Sequence, residues 1–170
     1  MRRHRSIVVI VTAMALLSTH ALTATEPPAP APSETWACSP TGSMAEGRSE
    51  HTATLLPDGR VLIIGGEKAS FEKHASAEIW DPATGAFEPT GSMAEGRNSH
   101  TATLLPEGRV LVAGGSGNPD GYGDTFLTTA EISDPASGEF CPTGSMADSR
   151  CYHTATLLPD GRVLAVAGVV

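Results

Sequence analysis

The dodecamer HTATLLPDGRVL is written three times in this chain of 170 residues, beginning at His51, His100 and His153, with Glu107 standing where the first copy has Asp58. The tetrapeptide TGSM precedes each copy, at Thr41, Thr90 and Thr143. The copies are spaced 49 and 53 residues apart, and the extra four residues fall in one loop. No other feature constrains the fold as strongly, because each unit of a tandem array must bury its apolar surface in the same way as its neighbours.

Within a unit the elements are short. Glu50 to Leu56 mixes Thr, Ala and Leu, Pro57-Asp58-Gly59 is turn chemistry, and Arg60 to Ile64 is β-branched and apolar, so the pattern predicts a hairpin. Gly59, Gly108 and Gly161 follow an acid where the turn needs a positive φ. After Gly65-Gly66 comes a variable loop, then Ala77-Glu78-Ile79-Trp80 as a third strand, and Asp81-Pro82-Ala83-Thr84-Gly85 turns the chain onto Phe87. The second unit repeats this with Asp134 to Gly138 and Phe140. A period of about 50 residues built from short strands points to propeller blades rather than a helical solenoid.

The expected fold is therefore all-β: a β-propeller segment of about two and a half four-stranded antiparallel blades within 36–170. Complete blades span 48–90 and 97–143, a half-blade spans 150–168, and an outer-type strand lies near Thr35 to Pro40. Propellers need about four to eight blades to form a ring, so this count leaves the ring incomplete, with open edges that invite self-association. Three outcomes stay open: a fragment of a longer propeller, a ring completed by other copies, or an open twisted array.

The diglycines Gly65-Gly66 and Gly114-Gly115, the variable loop, the DPxTG-like turn and the aromatics Phe87 and Phe140 together resemble kelch repeats, over roughly residues 36–168. The repeats are similar to those of exported bacterial kelch proteins and to the propeller of the galactose oxidase family. Three positions depart from the kelch pattern. Trp80 and Ser133 stand for the usual third-strand Tyr, Phe stands for the fourth-strand Trp, and the third diglycine is Ala167-Gly168. The galactose oxidase resemblance implies a copper site of two Tyr, two His and a Cys–Tyr crosslink. The chain beyond its leader offers only Tyr122 and Tyr152, with Cys151 directly beside Tyr152, so no catalysis and no cofactor are expected.

The opening MRRHR, the apolar run from Ile7 to about Leu17 and small residues near Ala21 and Ala24 have the layout of a secretory signal peptide over 1–24. The run is shorter than the roughly 20 residues a spanning helix needs, so a secreted, periplasmic or cell-surface location is expected. Residues 25–35, TEPPAPAPSET, read as a Pro/Ala-rich tether. Loss of 1–24 removes Arg2, Arg3 and Arg5 and no acid, so the formal charge of −8 becomes −11. A chain that acidic, with no Lys/Arg cluster, is not expected to bind nucleic acid or an anionic membrane. The expected partner is a protein or glycan at the cell surface, bound without catalysis.

Three cysteines cannot all pair within one chain, and three strand spacings separate the expected places of Cys141 and Cys151. A bridge there needs Cα atoms within about 7 Å and so a departure from the blade geometry. The candidate ligand-binding residues are the pairs Arg48/His51, Arg97/His100 and Arg150/His153, which should share one rim with loops 67–75 and 116–128. The competing reading makes each His bond backbone at its strand entry and each Arg pair with a nearby acid. Repetition favours it, since a residue needed in every unit serves the unit. Asp120, Tyr122 and Asp124 supply oxygens in a Gly-rich loop, but the EF-hand pattern fails at Tyr122 and Thr129, so no metal is assigned.

Overall fold

A computed structural model describes residues 38–118 and 123–170. The signal peptide and tether assigned to 1–35 lie outside the described residues, as do Asp120 and Tyr122. The described residues are all-β, with thirteen strands. Among them no helix is long and apolar enough to cross a membrane.

The first repeat forms a four-stranded antiparallel sheet, β1 (Thr52–Leu55), β2 (Val61–Ile64), β3 (Ser76–Asp81) and β4 (Ala86–Ser92), paired in sequence order. The second repeat gives two short strands of a side sheet, β5 (Arg97–Asn98) and β8 (Ser116–Gly117), joined there by β9 (Thr125–Phe126). Its main sheet orders β6 (Thr101–Leu104), β7 (Val110–Ala113), β10 (Ala130–Asp134) and β11 (Glu139–Pro142) as the first sheet is ordered. The third repeat supplies only the hairpin β12 (Thr154–Leu157) and β13 (Val163–Val166). None of the sheets closes on itself.

Two details differ from the sequence reading. The loop 116–128 is partly structured, because β8 and β9 extend the entry strand β5 into a three-stranded side sheet. These pieces are two residues long, too short for periodicity to register. Residues 38–40 form no strand, so of the expected outer strand near Thr35 to Pro40 the described portion is irregular.

The three hairpin turns are copies of one another. Leu56 N donates to Arg60 O at 2.8 Å and Gly59 N to Leu56 O at 3.0 Å, and the same bonds recur at Leu105, Gly108 and Arg109 and at Leu158, Gly161 and Arg162. The turn glycines sit at φ of 88°, 87° and 84°, where any side chain meets its own backbone. After each hairpin the chain takes two consecutive left-handed residues, and in the third repeat Ala167 adopts φ 62° where the others place glycine.

The two complete sheets stack with β1 against β6 and β4 against β11, and β12 continues the inner row on β6. The core lies between them and is built from Leu62, Ile64, Ile79, Val110 and Val112, closed by Leu56, Ala77 and Met93. Burying one such side chain is worth about 1.5–3 kcal/mol. The equivalent apolar residues of the third repeat, Leu164 and Val166, are 49% and 47% exposed.

The first TGSM segment is tied to the turn at Gly85. Gly42 N donates to Gly85 O at 2.8 Å, and Trp80 Nε1 donates to Thr41 Oγ1 at 2.9 Å, which is how the buried Trp80 satisfies its N–H. Cys38 and Cys141 are exposed, Cys151 is buried, and all three are unbridged.

Candidate functional site

The Arg/His pairs sit where one repeat hands over to the next. Arg97 illustrates the construction. Its backbone is held by the first repeat, with its N–H donating to His74 O and its carbonyl accepting from Gly66 N at 2.9 Å. Its guanidinium reaches into the second sheet and donates to Gly114 O, Thr129 O and Thr129 Oγ1, and to Glu131 Oε1 at 3.2 Å. Arg48 makes the same four kinds of contact, with Gly65 O, Ser76 O, Ser76 Oγ and Glu78 Oε1, the last at 2.7 Å. The second carboxylate oxygen of each glutamate accepts a backbone N–H, from Ala45 or Ala94, both at 2.9 Å.

Arg97 and Arg48 are almost fully enclosed, with side-chain exposures of 0% and 1%. A buried ion pair survives in such surroundings only when hydrogen bonds satisfy the rest of both groups. Burial draws Arg97 below the usual guanidinium value, and Glu131 and Glu95 oppose that. The expectation that each arginine pairs with an acid is thus met in detail for Arg48 and Arg97, through a glutamate of the third strand some thirty residues away. Arg150 has no such strand beside it and pairs loosely with Asp148, at 3.6 Å.

His51 and His100 lie against the main chain of Arg48 and Arg97, the backbone contact expected at the strand entry, and two of the histidines also bond across repeats. His100 Nε2 meets Thr52 Oγ1 at 2.9 Å and His153 Nε2 meets Thr101 Oγ1 at 3.0 Å, so each reaches back to the inner strand of the preceding repeat. Both residues are 6% exposed, and neither Nδ1 has a hydrogen bond of good geometry. His51, in the first of the three dodecamers, lies at the surface. Packed atoms and Arg48 nonetheless hold its pKa below the ordinary value, burial being the larger cause.

Burial pushes His100 down to about 3, and the charge of Arg97 adds to the effect. His153 is lowered by burial and then by Arg150. The unfolded chain therefore binds protons on His100 below about pH 6.5 that the folded chain refuses. The resulting stability is complete above pH 6.5 and is lost as pH falls toward about 3. Urea midpoints are expected to drop between pH 7.5 and 4.5 by the equivalent of about 2 kcal/mol from this group, and His100→Gln should flatten the profile over that interval.

The residue before each histidine is left-handed without being glycine: Glu50 at φ 52°, Ser99 at 50° and Tyr152 at 53°. These three form a row across the repeats, with Ser99 N donating to Glu50 O and Tyr152 N to Ser99 O, each at 3.1 Å. Their side chains converge as well, since Glu50 accepts from Ser99 Oγ and, at 3.1 Å, from the Tyr152 hydroxyl. Sequence reasoning missed this row, because nothing about Glu, Ser or Tyr announces a positive φ.

The loops share this rim as expected. Lys73 Nζ bridges Glu67 at 2.6 Å and Asp124 at 3.2 Å, and Asn98 Nδ2 donates to Glu67 at 2.8 Å, so loops 67–75 and 116–128 are fastened together. Asp124 is thereby engaged by Lys73. Among the described residues no group of three His, Cys, Asp or Glu side chains converges as a metal would require. Phe71, at φ 67°, and Tyr152 stand out from this rim at 75% and 65% exposure.

The opposite rim carries an open groove of about 490 Å³ between the first two hairpin turns, lined by Leu56, Pro57, Arg60, Arg109 and Pro135 among others. Asp58 pairs with Arg60 and Glu107 with Arg109; the Asp58 carboxyl is held below its usual range by Arg60, and that of Glu107 first by its own backbone N–H and then by Arg109. Comparison with protein-family models and with curated proteins finds no match to this chain.

Proposed function

We propose that the sheets are blades of a kelch-type β-propeller segment, and that the chain is exported and acts as a non-catalytic scaffold. The rim of loops 67–75 and 116–128 engages a protein or glycan at the cell surface. One observation carries this reading: two aromatic side chains, Phe71 and Tyr152, are presented to solvent on a rim whose charged residues are already bonded to one another. Exposed aromatics on a preorganised surface supply contact area at low entropic cost, for protein partners and for sugar faces alike. Arg48, Arg97, His100 and His153 support the scaffold role by being consumed inside the fold.

A second reading, in which the chain is part of a longer kelch or galactose oxidase-like protein and has no activity alone, is favoured by the unpaired edge of β13. The test is binding of the chain to a glycan array and to intact cells that export it, beside the double variant Phe71→Ala/Tyr152→Ala. Binding lost in the variant, at unchanged thermal stability, supports the scaffold. Absence of any binding by a folded, exported chain supports the second reading.

A further inference from the structure

Glu50, Ser99 and Tyr152 share one left-handed backbone conformation, at φ 52°, 50° and 53°, yet carry three different side chains. Their neighbours do not vary in this way, since an Arg stands two residues before each and HTATLLP follows each. The fold therefore requires the conformation and leaves the side chain to other uses. Glu50 gathers the row. Its Oε2 accepts from Ser99 Oγ and, at 3.1 Å, from the Tyr152 hydroxyl. Both donors belong to the later repeats, so the carboxylate is turned inward over the described row.

The charge of Glu50 stands apart from the others on the loop rim. Glu67 and Asp124 face Lys73, Glu46 and Glu72 face Lys68, and Glu95 faces Arg97. Glu50 faces neutral hydroxyls instead, and every Lys and Arg among the described residues already meets another carboxylate. The other arginines of the sequence, Arg2, Arg3 and Arg5, lie outside the described residues. Beside this unmatched carboxylate the Tyr152 ring is presented to solvent at 65% exposure, anchored by its hydroxyl.

We infer that Glu50 and Tyr152 form a receptor for the guanidinium of an arginine side chain on a partner protein. A planar cation forks onto carboxylate oxygens while it lies against an aromatic face, so it satisfies both groups at once. An ammonium has neither the plane nor the fork, which makes Lys the poorer ligand. The formal charge of −8 draws a cation toward the chain. Glycans ordinarily carry no guanidinium, so the site selects the protein from the two partner classes proposed for this rim. The inference rests on that reading of the rim as a binding surface.

The test titrates the tripeptide Gly-Arg-Gly, capped at both ends, into the isotopically labelled full chain and follows the amide signals of Glu50, Ser99 and Tyr152. Saturable shifts with a Kd on the order of millimolar are expected. Citrulline in place of arginine, an uncharged isostere, or Glu50→Gln in the chain should weaken binding at least about tenfold. Tyr152→Leu, which removes the aromatic face, should weaken it about twofold to fivefold. Glu139→Gln removes an exposed charge from the outer strand β11 and should leave it unchanged. Unchanged signals elsewhere in the spectrum establish the fold of each variant. No saturable shift at tens of millimolar, or equal shifts with the citrulline peptide, overturns the inference. A loss with Glu139→Gln as large as that with Glu50→Gln marks general charge attraction and overturns it too. If Phe71→Ala/Tyr152→Ala abolishes binding to cells while Glu50→Gln leaves it intact, the rim stands as a binding surface and the guanidinium assignment fails. Glu50-dependent binding of the arginine peptide without any binding to cells upholds the assignment and removes the cell surface as the partner's place.

Discussion

Arg97→Met is expected to cost about 3–5 kcal/mol of folding free energy, whereas Arg150→Met, the same change at the equivalent position of the third repeat, should cost less than about 1 kcal/mol. The difference follows from what each guanidinium leaves behind. Removing Arg97 strands Glu131, 2% exposed, orphans the Gly114 carbonyl and leaves the Thr129 carbonyl with the Gly114 N–H alone. It also releases the stitch between two sheets, because the Arg97 main chain belongs to the first repeat's hydrogen bonds. Arg150 loses one carbonyl contact and a loose ion pair with an exposed acid. Urea denaturation of the two variants beside the parent chain measures both. The double variant Arg97→Met/Glu131→Leu should recover part of the loss, since an apolar pair of similar volume carries no desolvation cost.

Gly114→Ala is the second large effect, expected at about 2–4 kcal/mol. Gly114 has φ 62°, and a methyl there would lie 2.6 Å from the Arg150 carbonyl and 2.9 Å from His153 Cε1. The first obstacle is main chain and the second is a buried ring bonded to Thr101, so neither yields cheaply. Gly108→Ala separates backbone strain from crowding. Its φ is 87°, but a methyl there meets nothing nearer than Pro57 Cγ at 3.8 Å, so only the left-handed backbone cost of about 1–2 kcal/mol remains. Thermal melts of the two variants should therefore differ clearly; equal losses would mean that the sheets do not meet at Gly114.

What the sequence revealed and what it hid divide along the range of the interactions. The hairpins were readable because Pro57-Asp58-Gly59 and its copies fix their turns locally, and Gly59, Gly108 and Gly161 share one geometry. The third and fourth strands were readable from Ala77 to Trp80 and from the Asp81 to Gly85 turn for the same reason. The pairing of Arg48 with Glu78 was not, because the partner lies thirty residues on and many acids compete for the role. A signal did exist: both complete repeats place Glu between Ala and Ile in the third strand, and the incomplete one has no such strand. The histidine contacts to Thr52 and Thr101 join different repeats, so no single repeat displays them. The left-handed row of Glu50, Ser99 and Tyr152 is set by hydrogen bonds between repeats, and residue type offers no hint of it.

The central claim is that three nearly identical dodecamers occupy two kinds of environment, two with a third strand on the second and one without. Amide hydrogen exchange compares them directly, since local opening reports how each strand is held. The amides of Val61–Ile64 and Val110–Ala113 should be protected close to the limit set by global unfolding. Those of Val163–Val166 should exchange faster by orders of magnitude. Equal protection of all three strands in the chain alone would contradict the account, because it would mean that β13 already has its partner.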